Sequence, residues 1–270
     1  MPCLRSPSTS VALTLALLVW PGSAVRSADA GTRNADSQIA KAGRLIKAYP
    51  DYIDRLEGNE LVWTDGTRMP FDDGDGDKPF KALLDRPDIE DQFALAYPSA
   101  FSRQPPPLNF DPGRFRNESF FVKMYGDCTK GEVARRLTTV AWLPRRGGGT
   151  LHVTTVNGIH HKLKSVSDEL EHLPEKLMRF LVPAAGGYVC RAIAGTSNRS
   201  AHAYGAAIDI NATVGDYWRW QSQGTYQYRN RIPMEIVHIF EKHGFIWGGK
   251  WYHFDTMHFE YRPELLPFGK

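Results

Sequence analysis

The chain is poor in cysteine, has no excess of one charge and carries no long hydrophobic run beyond its first thirty residues. Three cysteines in 270 residues, none at C-x-x-C spacing, exclude a cysteine-ligated zinc site and a disulfide-dense scaffold. With 33 Lys and Arg against 30 Asp and Glu, the formal charge is +3, so nothing calls for nucleic acid or an anionic membrane as partner. A membrane-spanning helix needs roughly 20 apolar residues, and no segment supplies them. Repeats and low-complexity tracts are missing too, and no feature indicates an oligomer. What remains is an ordinary globular composition, 42% hydrophobic, long enough for a sizeable core.

Residues 1–30 read as a signal peptide. Arg5 gives the positive start, Val11 to Trp20 a short apolar stretch, and Ala28-Asp29-Ala30 a cleavage site, with Pro21 to Ala24 as an alternative cut. Cys3 precedes the apolar stretch, which argues against lipid attachment. The expectation is export from a bacterial cell, to periplasm or medium. Processing after Ala30 would remove Arg5, Arg26 and Asp29 and lower the charge by one. Cys128 and Cys190 would then be alone in an oxidising compartment, where a disulfide is expected.

Residues 31–105 form an N-terminal annex of unknown role, and a Pro-rich connection at Gln104 to Pro107 leads into a catalytic unit over 106–270. Ile39, Ala42, Leu45 and Ile46 predict a short amphipathic helix over 37–48. Two strands are expected around the turn Asp65-Gly66. The acidic run Asp72 to Asp77 fails as a calcium loop, because Lys78 and Leu84 stand where Gly and Glu are required. Leu163, Val166, Leu170, Leu173 and Leu177 predict a long helix ending near Leu181. Strands are expected at 187–191, 206–211 and 257–261, a helix from Pro233 to Gly244, and a flexible link at Trp247 to Trp251. The class is α+β, a mainly antiparallel sheet with flanking helices.

Two segments carry chemistry: Ser200-Ala-His202-Ala-Tyr-Gly205-Ala-Ala207-Ile-Asp209 and Asp255-Thr-Met-His258. His202, Asp209 and His258 could hold one Zn²⁺, with a fourth position left for water, as in catalytic rather than structural zinc sites. Asp255 stays free beside the last ligand. Gly205 suits a turn bringing backbone close to the metal, and a strand over 257–261 puts His258 and Glu260 on one face. Ser200 lacks a G-x-S-x-G elbow, so it reads as a hydrogen-bonding or capping residue rather than a nucleophile. His253 and Trp251 could line a substrate cleft, as could Tyr217, Trp218, Trp220 and Trp247, although core packing would explain the aromatic residues equally well. Asn117, Asn198 and Asn211 sit in glycosylation sequons, two of them bracketing the proposed ligands, which favours a bacterial host or burial.

The pattern S-x-H-x-x-G-x-A-x-D followed by D-x-x-H resembles the zinc D-alanyl-D-alanine carboxypeptidases and L-alanyl-D-glutamate endopeptidases, over roughly Tyr188 to Glu264. These are secreted or phage-borne enzymes that trim peptidoglycan stem peptides. The resemblance implies a zinc D,D-peptidase-like domain, with His202, Asp209 and His258 as ligands and Asp255 as general base. It also implies Arg191 as the residue polarising the scissile carbonyl, with Arg199 as a competing candidate. Asp255 stands where the carboxypeptidase branch commonly has Glu, which tilts the expected substrate towards an internal L-Ala–D-Glu bond. Two alternatives stay open, an inactive zinc-containing wall-binding or signalling module of the same fold and a peptidase for free dipeptides or non-wall peptides.

Overall fold

The computed structural model describes residues 37–267 apart from 103, 194, 195, 197 and 223; the signal-peptide segment lies outside the described residues. Helix α1 (37–48) buries Ala42 and Leu45, with Ile46 partly covered, and leaves Ile39 exposed. Three antiparallel strands come next, β1 (Ile53–Glu57), β2 (Glu60–Trp63) and β3 (Arg68–Pro70). The Asp65-Gly66 turn closes the β2–β3 hairpin as expected, with Gly66 at φ 82° and the Asp65 carboxylate accepting the Thr67 N–H. β1 was not anticipated, since its alternation is charged on both faces.

The acidic run contributes Asp73 to a cluster of carboxylates around an ammonium. Lys78 Nζ lies 2.7 Å from Asp73, 3.1 Å from Asp88 and 2.6 Å from Asp91, with its side chain almost fully buried. A cation taken from water needs such paired carboxylates around it. Helix α2 (Phe80–Asp85) is next, then α3 (Glu118–Tyr125), whose N-cap Asn117 accepts the Phe120 N–H.

The hairpin β4 (Leu137–Ala141) and β5 (Thr150–Thr154) carries α4 (Ile159–Leu170) on one face. The helix expected to reach Leu181 stops at Leu170. Pro174 disfavours helical backbone at the residue before it, and a separate 3-10 turn over Glu175–Phe180 resumes the apolar pattern. Leu177 and Leu181 are buried all the same, so the periodicity marks a buried stripe rather than one continuous helix.

The last sheet has the order β6 (Ala207–Asp209), β8 (His258–Tyr261), β7 (Phe245–Trp247), antiparallel throughout, and α5 (Met234–Lys242) leads into β7. The strand expected at 187–191 is not one. The Tyr188 N–H binds the His152 carbonyl, and a Cβ on Gly187 would lie 2.4 Å from that oxygen, so the segment crosses β5 at one point instead of pairing along it. The link 247–251 is likewise not flexible: Gly248–Lys250 form a buried 3-10 turn. A Cβ on Gly249 would strike the Trp247 ring at 2.1 Å.

Gln38–Lys270 cluster as one compact unit. Its main core joins Leu45, Tyr49, Trp63 and Phe71 to Phe120, Trp142, Leu163, Ile208, Phe240 and Phe259, so the described part of 31–105 shares a core with residues of 106–270. The Cys128–Cys190 disulfide forms as expected, with Cα atoms 5.7 Å apart and a sequence separation of 62. A loop that long contributes ~4 kcal/mol on a chain-entropy basis. Replacing both cysteines by serine should lower the unfolding free energy by about that amount in urea titrations; coincident curves for variant and wild type would refute this.

Candidate metal centre and cleft

Ser200 starts the site. Its hydroxyl caps the 3-10 turn Ala201–Tyr204 by accepting the His202 N–H, and Gly205, at φ 66°, turns the chain into β6. The close approach that Gly205 permits is to β5, where a Cβ would meet the Thr154 backbone at 2.9 Å, rather than to the metal position. In the β6–β8 register Asp209 lies directly opposite His258, and Ala207 opposite Glu260. Cross-strand partners place their Cβ atoms ~4.5–5.5 Å apart on one face. The carboxylate and the second imidazole are thus brought together by strand pairing, and the first imidazole by the turn before it.

Three donor atoms converge. His258 Nδ1 is 3.0 Å from Asp209 Oδ1, His202 Nε2 is 3.1 Å from His258 Nδ1, and His202 Nε2 is 3.2 Å from Asp209 Oδ1. A tetrahedron built on ~2.1 Å zinc bonds has edges of about 3.4 Å. The triangle is therefore close to three corners of such a site, and its two-imidazole, one-carboxylate composition suits zinc. Each imidazole is oriented through its other nitrogen: His202 Nδ1–H donates to the Gly187 carbonyl at 2.6 Å, and His258 Nε2 faces Glu260 at 3.2 Å. Metal-binding histidines have partners of this kind. Glu260 is in turn ion-paired with Arg116 and accepts from Arg262 at 3.3 Å.

The electrostatics arise from these contacts. Burial works against charge on His258, yet hydrogen bonds to Asp209 and Glu260 prevail and push it up to about 10. Burial would also raise Asp209, but the two imidazoles hold it well below the usual carboxylate range. Asp255 goes the other way. Burial, reinforced by the nearby Asp209 charge, pushes it up to about 6 against the pull of His258. Its Oδ1 is buried without a hydrogen-bond partner. The loop carrying it is pinned, with Asp255 N–H on the Gly248 carbonyl and Trp218 N–H on the Phe254 carbonyl.

A cleft of about 290 Å³ opens over these groups, lined also by Arg114, Arg116, Arg191, Trp218, Trp220, Trp251 and His253. Arg191 reaches it with an exposed guanidinium whose one hydrogen bond among the described residues is a long one to the Ala192 carbonyl. Arg199 does not compete: it is paired with Asp127 at 3.0 Å and Glu118 at 3.5 Å. His253 gives its Nδ1 to buried Asp111 at 2.6 Å, and its ring stacks on Phe80. Trp251 lines the cleft, but its indole N–H is committed to the Pro112 carbonyl. Of the other aromatic residues, Trp247 is core and Trp220 stands 61% exposed at the rim. Asn211 is buried with its amide on the carbonyls of Arg179 and Val182, which leaves no room for a glycan.

Sequence reasoning misses Arg114, Arg116 and Asp111, which lie far upstream of both motifs in no recognisable spacing. Strand alternation places Glu260 on the His258 face, and a carboxylate there calls for a cationic partner; that is the available signal. Two further carboxylate groupings, Asp72-Asp73-Asp88 and Asp88-Glu90-Asp91, share Asp73, Asp88 and Asp91 with the ammonium of Lys78, while Asp72 accepts from Gln38 and Glu90 pairs with Lys41.

No curated protein and no solved structure matches the chain. Residues 194–261 match a family model described as D-alanyl-D-alanine carboxypeptidase, a segment that holds His202, Asp209, Asp255 and His258 together. Over that segment the chain is similar to the D-alanyl-D-alanine carboxypeptidase family, the resemblance its two motifs carry.

Proposed function

We propose that this protein is an exported zinc metallopeptidase that hydrolyses peptide bonds in peptidoglycan stem peptides. One observation carries the reading: a triangle of two imidazole nitrogens and a carboxylate oxygen shares its cleft with the half-buried carboxylate of Asp255, whose Oδ1 is buried with no partner. A purely structural or binding site has no use for that unpaired acid, and burying it is costly. The family similarity supports peptidase chemistry and a cell-wall substrate. Export is supported by the first thirty residues and by the disulfide. No helix among the described residues is long and apolar enough to cross a membrane.

His202, Asp209 and His258 would hold the zinc, which when bound supplies a Lewis acid for the scissile carbonyl and the attacking water. Asp255 takes the proton at its free carboxylate oxygen and passes it to the leaving amine. Burial raises its proton affinity above that of an exposed carboxylate, which favours proton acceptance there. Arg191 has no carboxylate partner among the described residues, so its planar fork can hold a substrate carboxylate or carbonyl oxygen. His253, fixed by Asp111, offers its remaining ring nitrogen as a substrate contact. The choice of Asp over Glu at 255 sides with cleavage at the L-Ala–D-Glu bond.

Digesting a set of muropeptides with purified protein and reading new termini by mass spectrometry tests the activity, and a chelator should abolish it. Cleavage that survives complete metal removal would sink the proposal. Zinc uptake with no cleavage of any peptide would leave an inactive binding module instead.

Asp255→Asn should keep its zinc and lose at least about 10²-fold in kcat, the scale for a single group acting in the transition state. His258→Ala should lose the metal as well; unchanged zinc stoichiometry in that variant would contradict the ligand assignment. His253→Ala should keep zinc while kcat/KM falls roughly tenfold, as for a lost charge-assisted contact; unaltered kinetics would remove His253 from the substrate site.

A further inference from the structure

The buried groups behind His258 do not end at Glu260. Arg262 donates to Glu260 Oε1 through Nη1 at 3.3 Å and to Glu264 Oε1 through Nε at 2.5 Å. The Tyr49 hydroxyl donates to Glu264 Oε2 at 2.5 Å. Tyr49 comes directly after α1, and Arg44 on that helix donates to the Glu264 and Leu266 carbonyls at 2.7 and 3.2 Å. Tyr49, Glu260, Arg262 and Glu264 are each no more than 2% exposed.

We infer that Tyr49 is a positioning residue for the metal centre, holding the His258 imidazole in place through Glu264, Arg262 and Glu260. The inference rests on the zinc reading of the site. Each carboxylate in the line has both oxygens engaged: Glu260 by His258, Arg116 and Arg262, Glu264 by Arg262 and Tyr49. Fixing the plane of Glu260 fixes the His258 ring, whose Nε2 it faces. Removing the Tyr49 hydroxyl leaves a buried carboxylate one donor short. Arg262 lies between the two carboxylates, with Nη1 held by the Gly113 carbonyl at 2.7 Å as well as by Glu260 at 3.3 Å; a shift of its guanidinium towards Glu264 would lengthen the Glu260 contact first.

Buried ionic chains seldom improve net stability over apolar packing. Partners of metal-binding imidazoles, by contrast, change metal affinity 10–100-fold. The relay also gives the N-terminal segment a task, joining α1 to the strand that carries the last ligand.

The test uses full-length Tyr49→Phe and Glu264→Gln. Three quantities are measured: zinc affinity by competition with a chromophoric chelator, thermal midpoint of the metal-free form, and the ¹⁵N shifts of the His258 ring. Tyr49→Phe should weaken zinc binding by up to ~10-fold, at the foot of the range for such partners, and shift the His258 ring signals. Val166→Ala in α4, outside the relay, should lower the midpoint and leave zinc affinity alone. Wild-type affinity in both relay variants would overturn the inference whatever their midpoints, and so would failure of both to fold, which would make the line a stability element only. If wild type binds no zinc, the zinc reading itself fails. The ring shifts then decide the relay, and signals identical to wild type overturn it.

Discussion

The pairing of Asp209 with His258 across β6 and β8 is the constraint on which the site depends. A slip of one residue would send every side chain of β8 to the opposite face, taking His258 and Glu260 away from Asp209 together. The register is locked from several directions. Phe259 stacks on Phe240 of α5 with ring centroids 3.8 Å apart, while Tyr261 packs edge-on against Phe245. Small Ala207 faces Glu260 and leaves space for the carboxylate. Apolar packing on one face of the strand thus sets the position of charge on the other.

Charge in the site is compensated unevenly, and the unevenness is informative. Glu260 and Glu264 are buried yet balanced by Arg116 and Arg262. Asp209 is balanced by the two imidazoles. Asp255 sits among the same groups without a partner for Oδ1. Satisfying three carboxylates and leaving a fourth open is the arrangement expected where one acid must exchange a proton and the others must not.

Both motifs are legible because their spacing is local. Seven residues carry the chain from His202 through the Gly205 turn into β6, and three carry it from Asp255 into β8. Elements with strong periodicity or turn chemistry, such as α1, α5 and the Asp65-Gly66 hairpin, are legible for the same reason. The segment 187–191 resembles a strand because its side chains suit one, but its pairing is decided by a single approach to His152. The link at 247–251 suggests flexibility because it holds two glycines; their lack of side chains serves close packing against Trp247 and the Asp255 backbone. Arg116 lines the cleft and Asp111 holds His253 only through tertiary contacts, and no spacing in the chain announces them.

The two imidazoles are oriented by different kinds of acceptor, and the difference has a chemical consequence. His202 donates to a neutral carbonyl on Gly187, in the stretch that the Cys128–Cys190 disulfide ties down three residues later. His258 faces a carboxylate kept ionised by Arg116, which outweighs the effect of burial. An ionised acceptor makes the ligating nitrogen more basic than a carbonyl does. His258 is therefore the imidazole oriented by an ionised group, and it lies three residues after Asp255 in the chain. The imidazole tied to the buried charge network is thus also the one that the short segment after Asp255 carries into β8, opposite Asp209.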